Sequence, residues 1–515
     1  MTGPVLGARR RLLASAAAAG GLALLSPALR AGSPTQAVRW DETRDVIVVG
    51  AGYAGLAAAI EAAQAGADVL VIEKMDSPGG NSALSTGDMA APGTDIQVRL
   101  GITSDSAEVM YEDLMRTGEI ADPARCRIVA EGALDAWRWT RDALGVAWAP
   151  DALQSDEGQT FPRGAIVRSR SGRELISAEL DMLTRLRVPV RCLARLEALI
   201  PSPGDDRIEG VLVREGGVPD VPASGAPRRI RARRGVVLAT GGFGADAAFL
   251  RSVAPELPPG IPTDNHPGAT AEALAAAMRA GAAVRDLGEV QVLPWISADE
   301  IGIGSAWSFI EHVTTRHGVW ITDRGERFVD ESASQAVRAR AVTDVLAKGG
   351  RVLALVDGSG FAQPGNVGAP VGDWEDLVRR GVIRRSATLA EAARRARIPR
   401  EAAPALEETV ARWNAVVRGE AADAFGRIPE KGAMVLADAP WHVVGICPKV
   451  HHTMGGLVID ASARVLWADG SVIAGLFAAG ESTGGTFGRN RAPCHSSTDA
   501  IVTGRIAGRE AARRS

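Results

Sequence analysis

The chain has 515 residues, enough for more than one domain, and its 46% hydrophobic and 23% charged residues are ordinary globular usage. A formal net charge of −3 offers no basic field for a polyanion, so nucleic-acid binding is excluded as the expected function. The four cysteines form no C-x-x-C pair and no C-x-x-C-H haem-attachment pattern, and we expect structural thiols, although their pairing cannot be chosen from the sequence.

Residues 1–37 are predicted to be a transport signal outside the fold. Three arginines, Arg9 to Arg11, precede an alanine- and leucine-rich stretch that ends at Leu25. Consecutive arginines followed by leucines are typical of a twin-arginine export signal, which predicts a periplasmic or otherwise exported protein. An uncleaved anchor is the alternative, but the apolar stretch is short for a span of about 20 residues. No stable membrane span is expected after signal removal.

The stretch from Asp45 to Lys74 has the pattern of a dinucleotide-binding βαβ unit. Val46–Val49 and Val69–Ile72 read as buried strands, and Leu56–Ala65 reads as the alanine-rich helix between them. Gly50, Gly52 and Gly55 have the G-x-G-x-x-G spacing that permits a tight turn and close approach to a pyrophosphate. Glu73 follows the second strand, where a carboxylate can accept from a ribose hydroxyl.

Three later regions complete the predicted organisation. The stretch Pro201–Arg229 reads as hairpin turns and loops, and Gly235–Gly244 reads as a buried strand that ends in a glycine turn. From about residue 290 to residue 450 the pattern changes to mixed helices and strands, with amphipathic helices at Thr388–Arg397 and Ala403–Arg418.

Near the C-terminus, HHTMGG (451–456), GLFAAGESTGG (475–485) and GRNR (488–491) follow one another. A cation and two imidazoles beside glycine-rich turns suit a site that binds a carboxylate next to a bound ring. The pattern favours chemistry on a small acid.

These motifs, together with GAGYAG (50–55), GGNSALSTGDM (79–89), ATGGFG (239–244), NHPGATAEAL (265–274) and GERFVDE (325–331), resemble the FAD-dependent fumarate reductase and succinate dehydrogenase flavoprotein family. The resemblance is to its soluble flavocytochrome c branch, without the haem domain, and spans most of residues 38–515. It implies an α/β fold, with a Rossmann-type FAD-binding domain (38–289 and 451–515) and an inserted α+β clamp domain (290–450).

The resemblance also implies the residues that bind FAD. No histidine occurs in the 79–89 stretch, where membrane-bound relatives attach the flavin covalently, so noncovalent FAD is expected. The cofactor-binding residues predicted in this way are Gly50, Gly52, Ala54, Gly55, Glu73, Lys74, Asn81, Ser82, Thr86, Gly87, Thr240, Gly241, Glu272, His452, Glu481 and Ser496.

The chemistry implied by the resemblance is hydride transfer from the flavin N5 atom to the β-carbon of an activated alkene, with protonation of the α-carbon. Arg491 would hold the substrate carboxylate, and His451 would donate to the same group. We place both among the predicted catalytic residues, with Glu311, which matches a carboxylate of the family's proton path, and Gln335, which occupies the position of the family's acid.

Several positions depart from the family pattern. Gln335 stands where the family has its acid arginine, and glutamine has no titratable proton. Leu293 replaces a histidine that contacts a carboxylate, and Thr314 replaces another arginine. Arg338 and Arg340 follow Gln335, and a solvated helix face is the favoured interpretation for each of them alone. Past Arg491, two flavin-side glycines are lost from the stretch Ala492–His495, where His495 is either a new polar group near the ring or, as we favour, a packing substitution.

One surviving carboxylate anchor leaves three substrate types open: a monocarboxylate, a bulkier unsaturated acid, or a ketone with one acidic tail. The leading hypothesis is an exported FAD oxidoreductase that interconverts C–C single and double bonds beside a carboxyl or carbonyl group, with electrons exchanged with a separate carrier such as a cytochrome. A dehydrogenase would need a base, for which Glu311, His451 and His495 are the candidates. The alternatives are a 3-ketosteroid-dehydrogenase-like or tricarballylate-dehydrogenase-like enzyme, and a noncatalytic flavin electron-transfer protein.

Overall fold

The computed structural model describes residues 38–203, 206–219, 221, 223–363, 374–430 and 432–513. The predicted export signal at residues 1–37 lies outside the described residues. The rest contains a mostly parallel sheet, in the part predicted to be the FAD-binding domain, and a four-stranded antiparallel sheet, in the part predicted to be the clamp domain, which confirms the predicted α/β class. The two parts are called the flavin domain and the clamp domain below.

The flavin domain is built on an eight-stranded sheet. Its middle strands are parallel and buried on both faces, which is why Val46–Val49 and Val69–Ile72 read as continuous apolar runs. In spatial order, the six strands along the sheet are Arg464–Leu466, Val472–Ala478, Ala226–Leu238, Glu42–Val49, Val69–Ile72 and Val190–Arg191.

The remaining two strands refine one sequence prediction. The stretch predicted as hairpin turns and loops contains the connections of a long antiparallel hairpin, with strands Ala194–Pro201 and Ile208–Glu215, that continues onto Ala226–Leu238. The glycine and proline content marked the connections correctly, but it obscured the alternating apolar residues of Ile208–Glu215, such as the buried Val211 and Val213.

Two helices pack together against this sheet. Tyr53–Gln64 follows the first strand, and His495–Ala512 returns from the C-terminal end of the chain. A Cβ atom at Gly504 or Gly508 would lie 2.3 or 2.1 Å from a backbone oxygen of the first helix, so both glycines are needed for this close approach. The other helices of the domain are Gly80–Leu84, Asp95–Arg99, Ala107–Gly118, Pro123–Asp142, Arg173–Arg185, Ala247–Val253 and Glu272–Arg279.

Short sheets bring the site together. Met89–Ala90, Gly164–Val167 and Trp148–Gln154 form a three-stranded sheet in the flavin domain. Val290–Leu293 pairs with Lys449–Thr453 where the chain leaves and re-enters that domain, next to the pair Val284–Arg285 and Gly456–Leu457.

The clamp domain has a four-stranded antiparallel sheet with a core on each face. Trp320, Ala354 and Val444 point into one core, whereas their neighbours Leu355 and Val443 point into the other, as the two-residue period of a strand requires. The strands, in spatial order, are Val319–Thr322, Val352–Val356, Trp441–Ile446 and Ile383–Ser386.

The clamp helices include the two predicted amphipathic ones, observed as Leu389–Arg395 and Ala403–Val417. A π-helical turn, Ile310–Thr314, interrupts a short helix, and Ser334 caps the helix Gln335–Ala347 by accepting from the Val337 N–H. The remaining helices are Trp307–Phe309, Thr315–His317, Gly358–Phe361, Trp374–Arg379 and the 3₁₀ turn Arg400–Ala402.

Candidate active site

A cavity of about 1110 Å³ lies between the flavin domain and the clamp domain. All four predicted catalytic residues line it: Arg491, His451, Glu311 and Gln335. So do twelve of the predicted cofactor-binding residues: Gly50, Gly52, Ala54, Glu73, Asn81, Ser82, Thr86, Thr240, Gly241, His452, Glu481 and Ser496. The structure therefore brings residues from both ends of the chain to one space.

The turn after the first strand has the features that a dinucleotide phosphate requires. Gly50 has φ +102°, and a Cβ there would lie 2.3 Å from the Ala239 carbonyl oxygen, so only glycine fits. The following helix begins at Tyr53, and no side chain caps its N-terminus at Gly52. The glycine turn and the helix dipole therefore suit a diphosphate, and Glu73 lines the same cavity at the end of the next strand.

A second wall comes from the segment after that strand. The Ser82 hydroxyl accepts from the Tyr53 N–H at 3.2 Å, which ties this segment to the helix N-terminus. The Asn81 side chain donates to Asn265 at 2.6 Å and accepts from the His266 N–H at 2.7 Å. Together with the glycine turn, this wall forms a cradle that fits FAD.

Four predicted cofactor residues lie away from the large cavity. A Cβ at Gly55 would lie 2.0 Å from the Gly50 carbonyl oxygen, so Gly55 serves the close contact between strand and helix. Gly87 has φ +84° and forms a turn. Lys74 and Glu272 form an ion pair of 2.9 Å that lines a neighbouring cavity of about 50 Å³ with Gly50 and Glu73. Their roles toward FAD stay predictions.

The C-terminal part of the chain supplies the opposite wall. Glu481 accepts from the Thr453 N–H at 3.0 Å and lies 3.3 Å from His452, and burial raises the pKa of its carboxyl. Burial also holds the pKa of His452 well below its usual value, so this imidazole is neutral. Ser496 lies in the first turn of the helix His495–Ala512, whose N-terminus has no side-chain cap.

Arg491 is held rigidly with one edge toward the cavity. Its Nε donates to Gln291 Oε1 at 2.8 Å, the Gln291 amide donates back to the Arg491 carbonyl at 3.0 Å, and Nη1 donates to the Ser496 hydroxyl at 3.2 Å. Only neutral groups hold it, so its charge remains available to a ligand. Gln291 was not anticipated from the sequence.

His451 has a carboxylate partner that sequence reasoning missed. Its Nδ1 lies 2.8 Å from Asp264 Oδ2, which leaves Nε2 as the ring nitrogen for a ligand. Asp264 is buried and lines the cavity. Its position directly before the Asn265–Leu274 motif was the available signal.

The surroundings of Glu311 show that the interpretation of Arg338 was wrong. Arg338, favoured as part of a solvated helix face, is 5% exposed and binds Glu311 through two hydrogen bonds of 2.6 and 3.0 Å. Its guanidinium lies 4.6 Å from the Trp295 ring. Burial raises the pKa of Glu311, and the adjacent Arg338 opposes that rise. Arg340 is exposed, as favoured.

Gln335 is a neutral, structural member of this region. Its side chain reaches the Val292 carbonyl at 3.5 Å, and its backbone N–H donates to Glu157 at 2.9 Å. Glu157 belongs to the flavin domain, so this contact crosses between the domains.

His495 was wrongly considered as a base. It is fully buried, its Nδ1 lies 2.8 Å from the Pro493 carbonyl, and it is not among the residues that line the cavity. The packing interpretation describes it. The cavity carries other acidic groups that were not anticipated: Asp88, whose pKa burial raises to about 6, and Asp156, which accepts from the Cys494 thiol at 3.2 Å.

The charges along the cavity are strongly asymmetric. Nine carboxylates and four arginines line it. Three arginines have carboxylate partners: Arg170 with Asp88 at 3.9 Å, Arg316 with Glu430 at 3.6 Å, and Arg338 with Glu311 at 2.6 Å. Within the described part of the chain, Arg491 has no such partner within 4 Å.

Comparison with known proteins identifies the family. Residues 45–497 match the family described as FAD binding domain. The chain belongs to this FAD-binding family.

Two relatives and one solved structure give the family a closer context. The chain is 33% identical to the acrylate reductase flavoprotein subunit of Shewanella woodyi, over 97% of each chain. It is 32% identical to the urocanate reductase of Eggerthella lenta, over 91% of this chain and 74% of the relative. The open conformation of a flavocytochrome c3 fumarate reductase superposes with a TM-score of 0.77 at 29% identity, covering 92% of this chain and 78% of the other.

Membership confirms FAD as the cofactor and an FAD-dependent oxidoreductase that acts on CH–CH bonds. The glycine turn and the two uncapped helix N-termini fit that cofactor. Noncovalent attachment stays a prediction. In the described ranges, no helix has the length and apolar character to cross a bilayer.

Proposed function

We propose that the protein is an exported flavoenzyme that reduces the carbon–carbon double bond of an α,β-unsaturated monocarboxylic acid. The observation that carries this proposal is Arg491, the cavity arginine that no carboxylate of the described chain neutralises. One available cation matches one substrate carboxylate.

The rest of the cavity disfavours a second carboxylate. Leu293 and Gln335 are neutral where the family resemblance implies a histidine and an arginine, and the other cavity arginines already have carboxylate partners. Because carboxylates outnumber arginines along the wall, a dianion would meet net repulsion. A monoanion bound at Arg491 avoids that cost.

His451 and Arg491 would both act on the substrate carboxylate. Arg491 binds it through the guanidinium edge that faces the cavity, and His451, whose ring is fixed by the contact between Nδ1 and Asp264, presents Nε2 to the same group. Both groups favour the negative charge that develops on the carboxylate as the double bond is reduced. Bound FAD supplies the hydride that reaches the β-carbon.

Glu311 would supply the proton to the α-carbon. It lines the cavity, and burial keeps part of its population protonated at higher pH than an exposed glutamate. Arg338 orients the carboxyl through two hydrogen bonds. Gln335 has no proton to give, so the acid function moves to the Glu311–Arg338 pair.

The relatives support this substrate class. Acrylate and urocanate, named in two of the relatives, are both α,β-unsaturated monocarboxylates. Export is supported by the arginine-rich start of the chain, and a separate electron carrier by the relative that is named as a flavoprotein subunit.

Anaerobic stopped-flow spectroscopy tests the function. The FAD-loaded protein is reduced with one equivalent of dithionite and mixed with acrylate, fumarate or acrylamide, the last as an uncharged analogue of acrylate. Faster reoxidation by acrylate than by either of the others is expected. Reoxidation by none of a panel of unsaturated acids would refute the reductase, and reduction of the oxidised protein by a saturated acid would instead reveal a dehydrogenase.

The Arg491→Met variant distinguishes a loss of substrate binding from a loss of FAD. It should retain FAD and lose at least about 100-fold in reoxidation rate by acrylate, because a charged hydrogen-bonding partner of the carboxylate is gone. Arg489→Met, an exposed arginine of the same motif, is the matched control and should behave as the unmodified protein.

A further inference from the structure

We infer that the substrate carries an uncharged, apolar substituent on its β-carbon, and that one segment of the chain forms its binding surface. We call this surface the apolar wall and define it as Leu293, Trp295, Ile301, Ile303 and Trp307. The inference rests on the proposed function, because it concerns the substrate end opposite the carboxylate at Arg491.

The apolar wall comes from a single stretch that begins in the linking strand Val290–Leu293 and runs into the clamp domain. All five side chains line the same cavity as Arg491. Leu293 and Trp295 are almost fully buried, whereas Ile303 and Trp307 are half-buried. The segment therefore offers both a packed base and apolar surface that is still open to a ligand.

Ile301 is the decisive member of the wall. Its side chain is 100% exposed although it lines the cavity. The loop around it is held in place, since the Lys449 ammonium donates to the carbonyls of Glu300 and Gly302 at 2.6 Å each. The Glu300 carboxylate in turn accepts from the Ala306 N–H at 2.8 Å. An isoleucine presented to the cavity by an anchored loop indicates an apolar ligand group.

The linking strand relates the apolar wall to the carboxylate anchor. Gln291 holds Arg491, and Leu293 lies two residues further along the same strand, at most roughly 7 Å away along the backbone. That separation is of the order needed to reach from a carboxylate across a double bond to its β-substituent. A substrate held by Arg491 can therefore place this substituent against Leu293.

The two arginines that line the cavity beside the wall are paired with carboxylates. Arg338 pairs with Glu311, and Arg316 lies 3.6 Å from Glu430. Burial, together with Arg316 and Arg338, lowers the pKa of His312 to about 4, and this neutral imidazole meets Trp307 edge-to-face with ring centroids 5.7 Å apart. Neither Arg316 nor Arg338 is left to pair with a charged substituent, whereas an apolar substituent buries Ile301 and Trp307.

The inference is tested by the concentration of each acid that gives half of the maximal rate of flavin reoxidation. The reduced protein is mixed with acrylate, with (E)-hex-2-enoate or (E)-cinnamate, and with fumarate, which carries a charged β-substituent. Either the alkyl or the aryl acid should half-saturate at a concentration at least about 10-fold below that of acrylate, because each additional buried methylene contributes to binding. Fumarate should be the poorest of the four.

The outcomes separate the two proposals. Reoxidation by acrylate with no gain from either larger acid overturns the apolar wall and leaves the proposed function standing. Reoxidation by none of the monocarboxylates overturns both. Tighter binding of the alkyl acid alone or of the aryl acid alone supports the wall and shows which of the two substituents fits it.

A variant pair and a binding measurement make the test specific. Ile301→Ser should lose most of the gain with the larger acid, measured as the ratio of the half-saturating concentrations of acrylate and of the larger acid in the same variant. Val98→Ser, at an exposed valine of the flavin domain, is the control and should not change this ratio. Calorimetric titration of the oxidised protein with hexanoate, 3-phenylpropanoate and propanoate should show the same order and a more negative heat-capacity change for the larger acids. Equal affinities for all three would contradict the wall without any turnover.

Discussion

Asp264 decides how His451 can act, because it occupies one ring nitrogen and leaves the other for the substrate. The contact with the Asp264 carboxylate also fixes the orientation of the ring, so that Nε2 can face the substrate carboxylate. An imidazole without that partner would bind a carboxylate less strongly and in a less defined orientation.

Replacing Asp264 by asparagine therefore has a defined consequence. The shape is kept but the charge is lost, and we expect the kcat/KM for acrylate to fall by about 10- to 100-fold, the value of one charge-assisted hydrogen bond. FAD content and secondary structure should be unchanged. Steady-state reduction with reduced methyl viologen measures the effect, and activity within 2-fold of the unmodified protein would show that Asp264 does not orient His451.

The Glu311–Arg338 pair predicts a pH dependence. Glu311 must be protonated to donate, so activity should fall as the pH rises through its pKa. Burial raises this pKa and the Arg338 cation opposes the rise, so removing the cation raises the pKa further. In Arg338→Met the alkaline limb of the kcat profile should move to higher pH, alongside a lower maximum rate. Arg340→Met, exposed on the same helix, should leave the profile in place, and an unmoved limb in Arg338→Met would exclude this pair as the proton donor.

Among the elements, the helix Arg173–Arg185 contains a destabilising residue on its packed face. Leu175, Ile176, Glu179 and Leu183 are its buried residues, and the two carboxyl oxygens of Glu179 have no hydrogen-bond partner in the described structure. Burial raises the pKa of Glu179 well above its usual value. The folded state thus holds a proton that the unfolded chain releases.

This proton makes stability fall as the pH rises. Between the ordinary pKa of a glutamate and the raised pKa of Glu179, the folded protein binds more protons than the unfolded chain, so the free energy of unfolding decreases with pH. Glu179→Met should remove that slope and raise the free energy of unfolding at neutral pH by about 1–3 kcal/mol. Urea titrations at several pH values measure both effects. Asp181→Asn, exposed on the same helix, should change neither, and a destabilised Glu179→Met would mean that the carboxyl has a partner.

Elements whose signals are local could be predicted from the sequence, and the contacts between them could not. The strand Val69–Ile72 was predicted to the residue, and the first helix within a few residues, because an apolar run and a glycine turn identify them. Arg338 was misjudged because its burial depends on Trp295 and on Glu311 in a π-helical turn elsewhere in the clamp domain. The Asp264–His451 contact spans 187 positions, a distance that no local pattern reports.

At the scale of the whole molecule, the site is divided between two domains. The flavin domain supplies Arg491 and the cofactor cradle, and the clamp domain supplies Glu311 and Arg338. The reaction therefore requires the two domains to keep a fixed position relative to each other. Glu157 contributes to this directly, because it extends from the flavin domain and accepts the Gln335 N–H at 2.9 Å, at the start of the helix that carries Arg338.

Removing the charge of Glu157 should weaken this contact between the two domains. A carboxylate at a helix N-terminus gains from the backbone N–H and from the helix dipole, together about 1 kcal/mol at an exposed site. Glu157→Gln should therefore lower kcat by about 5-fold, while the FAD content and the secondary structure of the protein stay the same. Asp151→Asn, an exposed carboxylate nearby in the same flavin-domain hairpin, is the control. Because the contact joins the domains and involves a charge, added salt should reduce the activity of the unmodified protein toward that of Glu157→Gln. Equal salt sensitivity of the two proteins would show that the Glu157 charge does not hold the domains together.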